Sequence, residues 1–406
     1  MLLEGLKILD FTYLLPGPLA TMTLADLGAD VLKVESPTRV DLVRYVPPFL
    51  DAEQTISCVH AHLNRGKRSL ALDLKHPLSH DVITRLIRDQ GYDIVVEQFR
   101  PGVMERLGLS YESLARIKPD LIYCSLTGYG QTGPLKDRAG HDINYLSLAG
   151  IMGYSGTRDN GPALMGVPVA DIAGAHNTVA GVLAAVIKRL RTGTGQHVDV
   201  AMTDSVFAYH ALAGTRVLAG DAEPGYETDV LAGGSLYGFY VTADGKYLSF
   251  GGLEDQFSRA FFEVLGLPDL IPGGVMQFSG IEEARARIQA VIRSQPLAYW
   301  VEKFKDRDAC AEPVLSFSEA AESEHARSRG LTVDVPGPGG KSIRQIACPI
   351  KCSQDSARYP WAGCALGRDS LHVVRSLDYS EEEIATLLAE GVIKDAEQKV
   401  EQESFQ

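Results

Sequence analysis

The run Gly140-His-Asp-Ile-Asn-Tyr145 sets an imidazole and a carboxylate side by side after a glycine-bearing turn. A histidine near neutral pH can give or take a proton, and N–H groups at a helix start can hold a developing enolate oxygen. Asp171 opens a long apolar stretch. A carboxylate there can do acid–base or nucleophilic work, or simply complement the dipole of the helix it begins. Glu254, in Gly251-Gly-Leu-Glu-Asp-Gln-Phe257, stands where a cap for the next helix would stand. Spacing alone leaves each of these residues open to an ordinary surface or capping role. The cations Arg65, Lys67, Arg68, Lys75, Arg100 and Arg106 are concentrated in one stretch of an otherwise acidic chain. Such a set reads either as a solvated face or as a phosphate-binding patch.

Elements that could position these residues follow from the apolar patterning. Leu6–Phe11 is a short apolar run, followed by Pro16-Gly-Pro18, a helical pattern through Leu24 and Leu27 that ends at Gly28, and a second strand pattern over Ala29–Glu35. Strand, Gly/Pro turn, helix and strand make a βαβ unit, and βαβ units imply a parallel sheet. The pattern recurs: a strand over Arg68–Leu74, a helix around His80–Asp89, and strands over Tyr92–Glu97 and Leu121–Leu126. The fold class expected is therefore α/β, with a doubly wound parallel sheet. Ligands of such sheets sit beyond the carboxyl ends of the strands, where Gln98-Phe-Arg-Pro-Gly102 and Thr127-Gly-Tyr-Gly130 fall.

Ala170–Arg191 is rich in Ala, Val, Ile and Leu at helical spacing and predicts one long, largely buried helix. After about residue 205 the composition turns Gly-rich. Leu231–Val241 and Lys246–Phe250, joined by Ala243-Asp-Gly245, predict a hairpin in a second, smaller domain. This divides the chain into a large domain over 1–205, a linker over 206–228, and a small domain over 229–330. The Val335-Pro-Gly-Pro-Gly-Gly340 cluster predicts a turn or linker before an extended segment, and Ser380 with Glu383 three residues on predicts a capped terminal helix.

The bulk numbers bound the reading. A chain of 406 residues exceeds the size at which single cores stop growing, so two domains are expected. Its net charge of −13 argues against a nucleic-acid binder, which neutralises phosphates with clustered Lys and Arg, so an anionic ligand would need a local basic patch. No uninterrupted apolar run reaches the length of a spanning helix, and Glu4, Lys7 and Asp10 interrupt any signal-peptide layout, so a cytoplasmic protein without a membrane span is expected. The six cysteines lack framework spacing. Cys348 and Cys352 are the one close pair, without a second Cys/His pair to complete a zinc site, so buried thiols and no metal are expected.

Several of these segments carry a family resemblance. Gly5-Leu-Lys-Ile-Leu-Asp10 with Pro16-Gly-Pro18, Leu27–Glu35, Asn64-Arg-Gly-Lys-Arg68 with Leu72-Asp-Leu-Lys75, Phe99-Arg-Pro-Gly102, Gly128–Pro134, Gly195–Val200 and the closing Tyr379-Ser-Glu-Glu-Glu-Ile384 resemble the CaiB/BaiF family of CoA-transferases and racemases. The resemblance implies a Rossmann-like large domain built from both ends of the chain, so that 331–406 returns to it. It also implies a smaller α+β domain and an interlocked homodimer. Gly140–Tyr145 resembles the racemase branch, in which His141 is one catalytic base and the N–H of Asp142 helps to hold the enolate. Asp171 matches the second racemase base, and also the aspartate nucleophile of the transferases. Gly252–Phe257 resembles a racemase segment whose Glu, here Glu254, orients the imidazole, with Asp255 in place of a proline.

By the same resemblance, the CoA portion of an acyl-CoA thioester lies against Arg39, Leu72, Asp73, Leu74, Lys75, Gln98, Phe99, Arg100 and Arg106, and near Gly140, Asn144 and Tyr145. No cofactor beyond that CoA moiety is implied. The activity implied is inversion of the α-carbon of 2-methyl-branched acyl-CoA thioesters by two-base proton transfer. The alternative is class III CoA transfer through an aspartyl-CoA thioester on Asp171. Met152, Met165, Tyr129 and Tyr237 could line an acyl pocket, or pack the core as such residues ordinarily do.

Overall fold

Six short strands rich in Val, Ile and Leu form one sheet: β1 (Lys7–Phe11), β2 (Asp30–Glu35), β3 (Arg68–Leu72), β4 (Ile94–Glu97), β5 (Ile122–Thr127) and β6 (Gln196–Ala201). The computed structural model describes residues 1–51, 56–270 and 280–396. The six strands run parallel in the order β3-β2-β1-β4-β5-β6, with Leu9 beside Leu32 on one side and Val95 on the other. This is the doubly wound order, whose crossover point falls between β1 and β4. The short strand Ile393–Lys394 pairs antiparallel with β3 at the sheet's edge. Sequence patterning does not predict it, because two residues carry no period.

Side chains alternate across a strand, so successive residues serve opposite faces. Leu9, Phe11, Leu32, Leu70 and Val95 face a core that also holds Val82 and Leu86 of the helix Ser79–Arg88 and Val373, Ile384 and Leu387 from the end of the chain. The two ends of the sequence thus share one core. On the sheet lie α1 (Pro16–Asp26), with prolines in its first turn, and α3 (Val169–Thr192), packed on α1, β5 and β6; between them in sequence comes α2 (Asp142–Leu148). Helix α3 buries Ala170, Ala173, Ala175, Val182 and Val186 but leaves Ile187 and Leu190 58% and 80% exposed. It is therefore less buried than its composition predicts, because only one side of a helix can meet a sheet. By length and composition α3 could cross a bilayer; so could many helices packed across a sheet.

The chain divides into two compact units: Met1–Tyr145, Val167–Val206 and the segment from Arg327 on form the first, and Leu146–Gly166 with Phe207–Ala326 form the second. These boundaries differ from the predicted ones. Residues 146–166 fall in the second unit, and the expected linker over 206–228 carries the helix Ala213–Leu218. A composition shift marks where Gly becomes frequent, not where contacts change partners. The last ten residues of the predicted 331–406 segment lie outside the described residues.

In the second unit, Gly238–Val241, Tyr247–Phe250 and Ala311–Pro313 form an antiparallel sheet. The hairpin turn at Gly245 (φ +75°) is the one predicted, although residues 231–237 stay outside the strand. A core of Phe250, Phe261, Phe262, Trp300 and Phe304 supports this sheet. In the first unit, Thr332–Pro336 and Ser342–Ile346 form a hairpin of which only the second strand is predicted, and the capping box of Ser380 and Glu383 starts the helix Glu381–Ala389 as expected.

Candidate active site

Strand β1 ends at Phe11 and β4 at Glu97, and the loops that follow them meet at the crossover. The Gly17 N–H donates to Oε1 of Gln98 at 3.0 Å, and the Tyr13 hydroxyl donates to the Gln98 carbonyl at 3.1 Å. A β-carbon on Gly17 would come within 2.6 Å of Gln98 Oε1 and 2.3 Å of Thr12 Cβ, so only glycine allows this approach. The rings of Tyr13 and Phe99 lie 6.0 Å apart. Arg39 and Arg100 stand near enough to Tyr13 to pull its phenol down, against the larger upward push of burial. Tyr13 is a site-wall residue that sequence reasoning missed. Its signal was its place just past the end of β1 at the crossover.

Beneath this surface, ion pairs tie the strands to one another and to α1. Lys67 donates to Asp10, Thr21, Asn64 and the Pro18 carbonyl, and Lys33 donates to the Thr12 carbonyl and faces Asp41. Arg65 pairs with Asp26 at 2.6 Å, and the half-buried Arg68 pairs with Asp30 at 2.7 Å, joining the amino ends of β3 and β2. Half of the cation cluster noted in the sequence is thus structural: Arg65 and Lys67 are each 1% exposed, and neither can reach a ligand. A charge count registers an excess of cations but not their burial.

Arg39, Lys75, Arg100 and Arg106 are different. All four are exposed, and among the described residues none forms an ion pair. Lys75 and Arg106 border a cavity of about 280 Å³ whose wall includes Leu74, His76, Pro77 and His80. Asp73 turns the chain there by accepting the Lys75 N–H at 3.0 Å, and Leu72 is wholly buried in the core, so its side chain is withdrawn from any ligand.

The residues with chemistry converge from the other side. His141 precedes α2, is exposed, and its backbone N–H donates to Oδ1 of Asn144 at 3.0 Å. The N–H of Asp142, first in the helix, has no intrahelical acceptor by position and remains free to donate. The Asp142 carboxylate accepts the N–H groups of Ala170 (2.6 Å) and Asp171 (3.3 Å), so the start of α2 caps the start of α3. This bond between helices sets Asp171 close to His141. Burial pushes the Asp171 carboxyl up to about 6, the charge of Asp142 adds to the rise, and His141 opposes it.

Gly128 and Gly140 admit the ring of Tyr145. A β-carbon at either would lie within 2.7 Å of it, and Tyr145 donates its hydroxyl to the Gly140 carbonyl. Tyr129 meets Tyr145 edge-on at 5.2 Å. Burial raises the Tyr145 phenol first, followed by Tyr129, Asp171 and Tyr13, with Arg100 opposing, so the strand-end loops and the α2–α3 junction share one electrostatic neighbourhood. Glu254 lies in the second unit, exposed, at the N-cap position of the helix Asp255–Leu265; its side chain makes no capping hydrogen bond. The cap role open to it in the sequence is therefore not exercised by the carboxylate. All six cysteines are free thiols, and among the described residues no group of three His, Cys, Asp or Glu side chains could hold a metal ion.

The sequence profile of CoA-transferase family III matches residues 3–370. The chain is 34% identical over 393 residues to a protein named succinate–glutarate CoA-transferase from Agrobacterium fabrum, covering 93% of this chain and 96% of that one. It is 33% identical over 404 residues to the alpha-methylacyl-CoA racemase of Homo sapiens, covering 97% and 98%. A crystal structure of a CaiB/BaiF family protein from Brucella suis is similar with a TM-score of 0.79 at 31% identity, over 93% of this chain and 99% of that one.

Proposed function

The chain belongs to CoA-transferase family III, and from that membership we propose that it inverts the α-carbon of 2-methyl-branched acyl-CoA thioesters by two-base proton transfer through an enolate. The observation that carries this reading is the His141–Asp171 pair, joined through the Asp142 cap, with a carboxyl raised to about 6. Inversion beside a thioester carbonyl needs one group to take the α-proton from one face and another to return a proton on the opposite face. Both groups must take and return protons during turnover, work for which imidazole is a common acid–base group and for which burial raises Asp171. The Asp142 N–H is the donor assigned to the enolate oxygen. Arg39, Arg100, Lys75 and Arg106 are the cations assigned to the CoA phosphates, which charge-assisted bonds suit. No cofactor beyond the CoA moiety takes part in this reading, and the acting species is a homodimer.

A second reading is favoured by the similarity to a protein named as a CoA-transferase. Here the Asp171 carboxylate attacks the acyl-CoA carbonyl, forms a mixed anhydride and releases CoA thiolate. The thiolate then attacks the aspartyl carbonyl, giving an aspartyl-CoA thioester and the free acid. One experiment separates the two readings: incubation with a single 2-methylacyl-CoA epimer in deuterium oxide without acceptor acid. The first reading expects deuterium at the α-carbon and both epimers. No deuterium, together with a hydroxylamine-sensitive adduct on Asp171 and CoA transfer to an added acid, would install the second.

A further inference from the structure

Glu97 closes β4 at the crossover and is only 4% exposed. Its Oε2 accepts the Phe99 N–H at 2.8 Å, so the carboxyl fixes the first turn of the loop that carries Gln98, Phe99 and Arg100. Ser125 lies beside Glu97 in register on β5, where its hydroxyl favours the charged form of the carboxyl. Ser125 is itself 1% exposed, with Oγ 2.9 Å from Nε2 of His197 on β6. The imidazole stacks on Tyr111 at 5.6 Å and meets Tyr123 edge-on at 5.4 Å, while the residue stays open to solvent. A hydroxyl can accept one bond while donating another, and Ser125 stands between the imidazole and its register neighbour, the buried carboxyl. The proton transfers assigned to His141 and Asp171 make no use of it.

We propose that Glu97, Ser125 and His197 are positioning residues, a relay through which solvent sets the charge on the carboxyl that shapes the Gln98–Arg100 loop and thereby tunes affinity for CoA. The inference rests on the thioester-binding function proposed above. A carboxylate accepts an N–H more strongly than a neutral acid does, so the loop is held better when Glu97 is ionised. Burial lifts the Glu97 carboxyl to about 7; Ser125 and the Phe99 N–H work against the rise, and Asp199 adds to it. The other groups facing Glu97 are Tyr13 after β1, Tyr123 and Cys124 on β5, and Asp199 on β6, while His197 meets Ser125 and lies near Glu112 and Asp199. Burial raises the two phenols and pushes the thiol to about 12, which keeps all three neutral, and burial lowers His197. Glu97 therefore gains its charge, and the loop its firmer hold, as pH rises through about 7.

The test is calorimetric titration of the full-length protein with CoA across about pH 5.5 to 8.5, for the parent, Glu97→Gln and His197→Phe. A phosphate monoester of CoA titrates near pH 6, so the quantity read is the difference between parent and variant curves. The parent should bind about fivefold tighter above the transition than Glu97→Gln, with the difference vanishing below it. His197→Phe keeps the ring stack but removes the N–H that polarises Ser125, so its transition should move to higher pH. Parent and Glu97→Gln curves that run parallel would overturn the relay and leave CoA binding intact. Should Glu97→Gln fail to fold, an unmoved transition in His197→Phe would overturn it equally. A parent that binds no CoA at any pH would sink the thioester reading, and the relay with it.

Discussion

At the scale of single residues, exposure and partners decide which groups can meet a ligand and which hold the fold. His141 and Asp171 are legible because their neighbours resemble a known arrangement, and the structure sets both in one unit with Asp142 between them. The cations were not legible in the same way. Arg65 and Lys67 look like Lys75 and Arg106 in a string of letters, yet the first two are wholly buried against Asp26 and Asp10, and the others are exposed and form no ion pair among the described residues. What sorts them is depth beneath α1, which no local pattern encodes. His141→Ala should abolish α-proton exchange, a loss of about 10² to 10⁴ in rate. CoA binding and thermal stability should be unchanged, because the side chain is exposed. Exchange at the parental rate, followed by deuterium incorporation, would remove the imidazole from the proposed chemistry.

At the scale of elements, the boundaries of β1 to β5 and α1 follow from periodicity, and the junction that makes the site does not. Asp142 is adjacent to His141 in sequence, so its side chain reads as part of the same motif, but its carboxylate caps a helix that begins at Val169. A long-range cap leaves no local trace, and the two short pairings of Ile393–Lys394 and Thr332–Pro336 escape for the same reason. The cap has two separable consequences. Asp142→Ala removes the acceptor for the Ala170 and Asp171 N–H groups and should lower unfolding free energy by about 0.5–2 kcal/mol in denaturant titration. Asp142→Asn retains an acceptor but removes the charge that helps to raise Asp171. The Asp171 carboxyl acts as a base only when ionised, so exchange in that direction declines as pH falls through about 6. In Asp142→Asn that acidic limb should move to lower pH. A limb that stays put would show that burial alone sets the Asp171 value.

At the scale of the whole molecule, the first unit is assembled from both ends of the chain with a second unit inserted between, and apolar residues are left open on each. Leu190 is 80% exposed on α3 in the first unit, and Leu218 is 86% exposed in the second. Large apolar side chains left open in this way are what a subunit contact covers. The family resemblance implied two interlocked subunits, and such an arrangement has a kinetic signature that ordinary docking lacks. Subunits that merely touch exchange when they dissociate, whereas linked subunits exchange only after unfolding. Sedimentation should therefore give twice the 44.0 kDa chain mass even on dilution. Mixing tagged and untagged dimers should yield no mixed species until both have been unfolded and refolded together. Leu190→Glu or Leu218→Glu should lower the yield of dimer on refolding more than it alters a dimer already formed. Rapid exchange of subunits in native buffer would leave a dimer standing but not an interlocked one, and a monomeric parent would dispose of both.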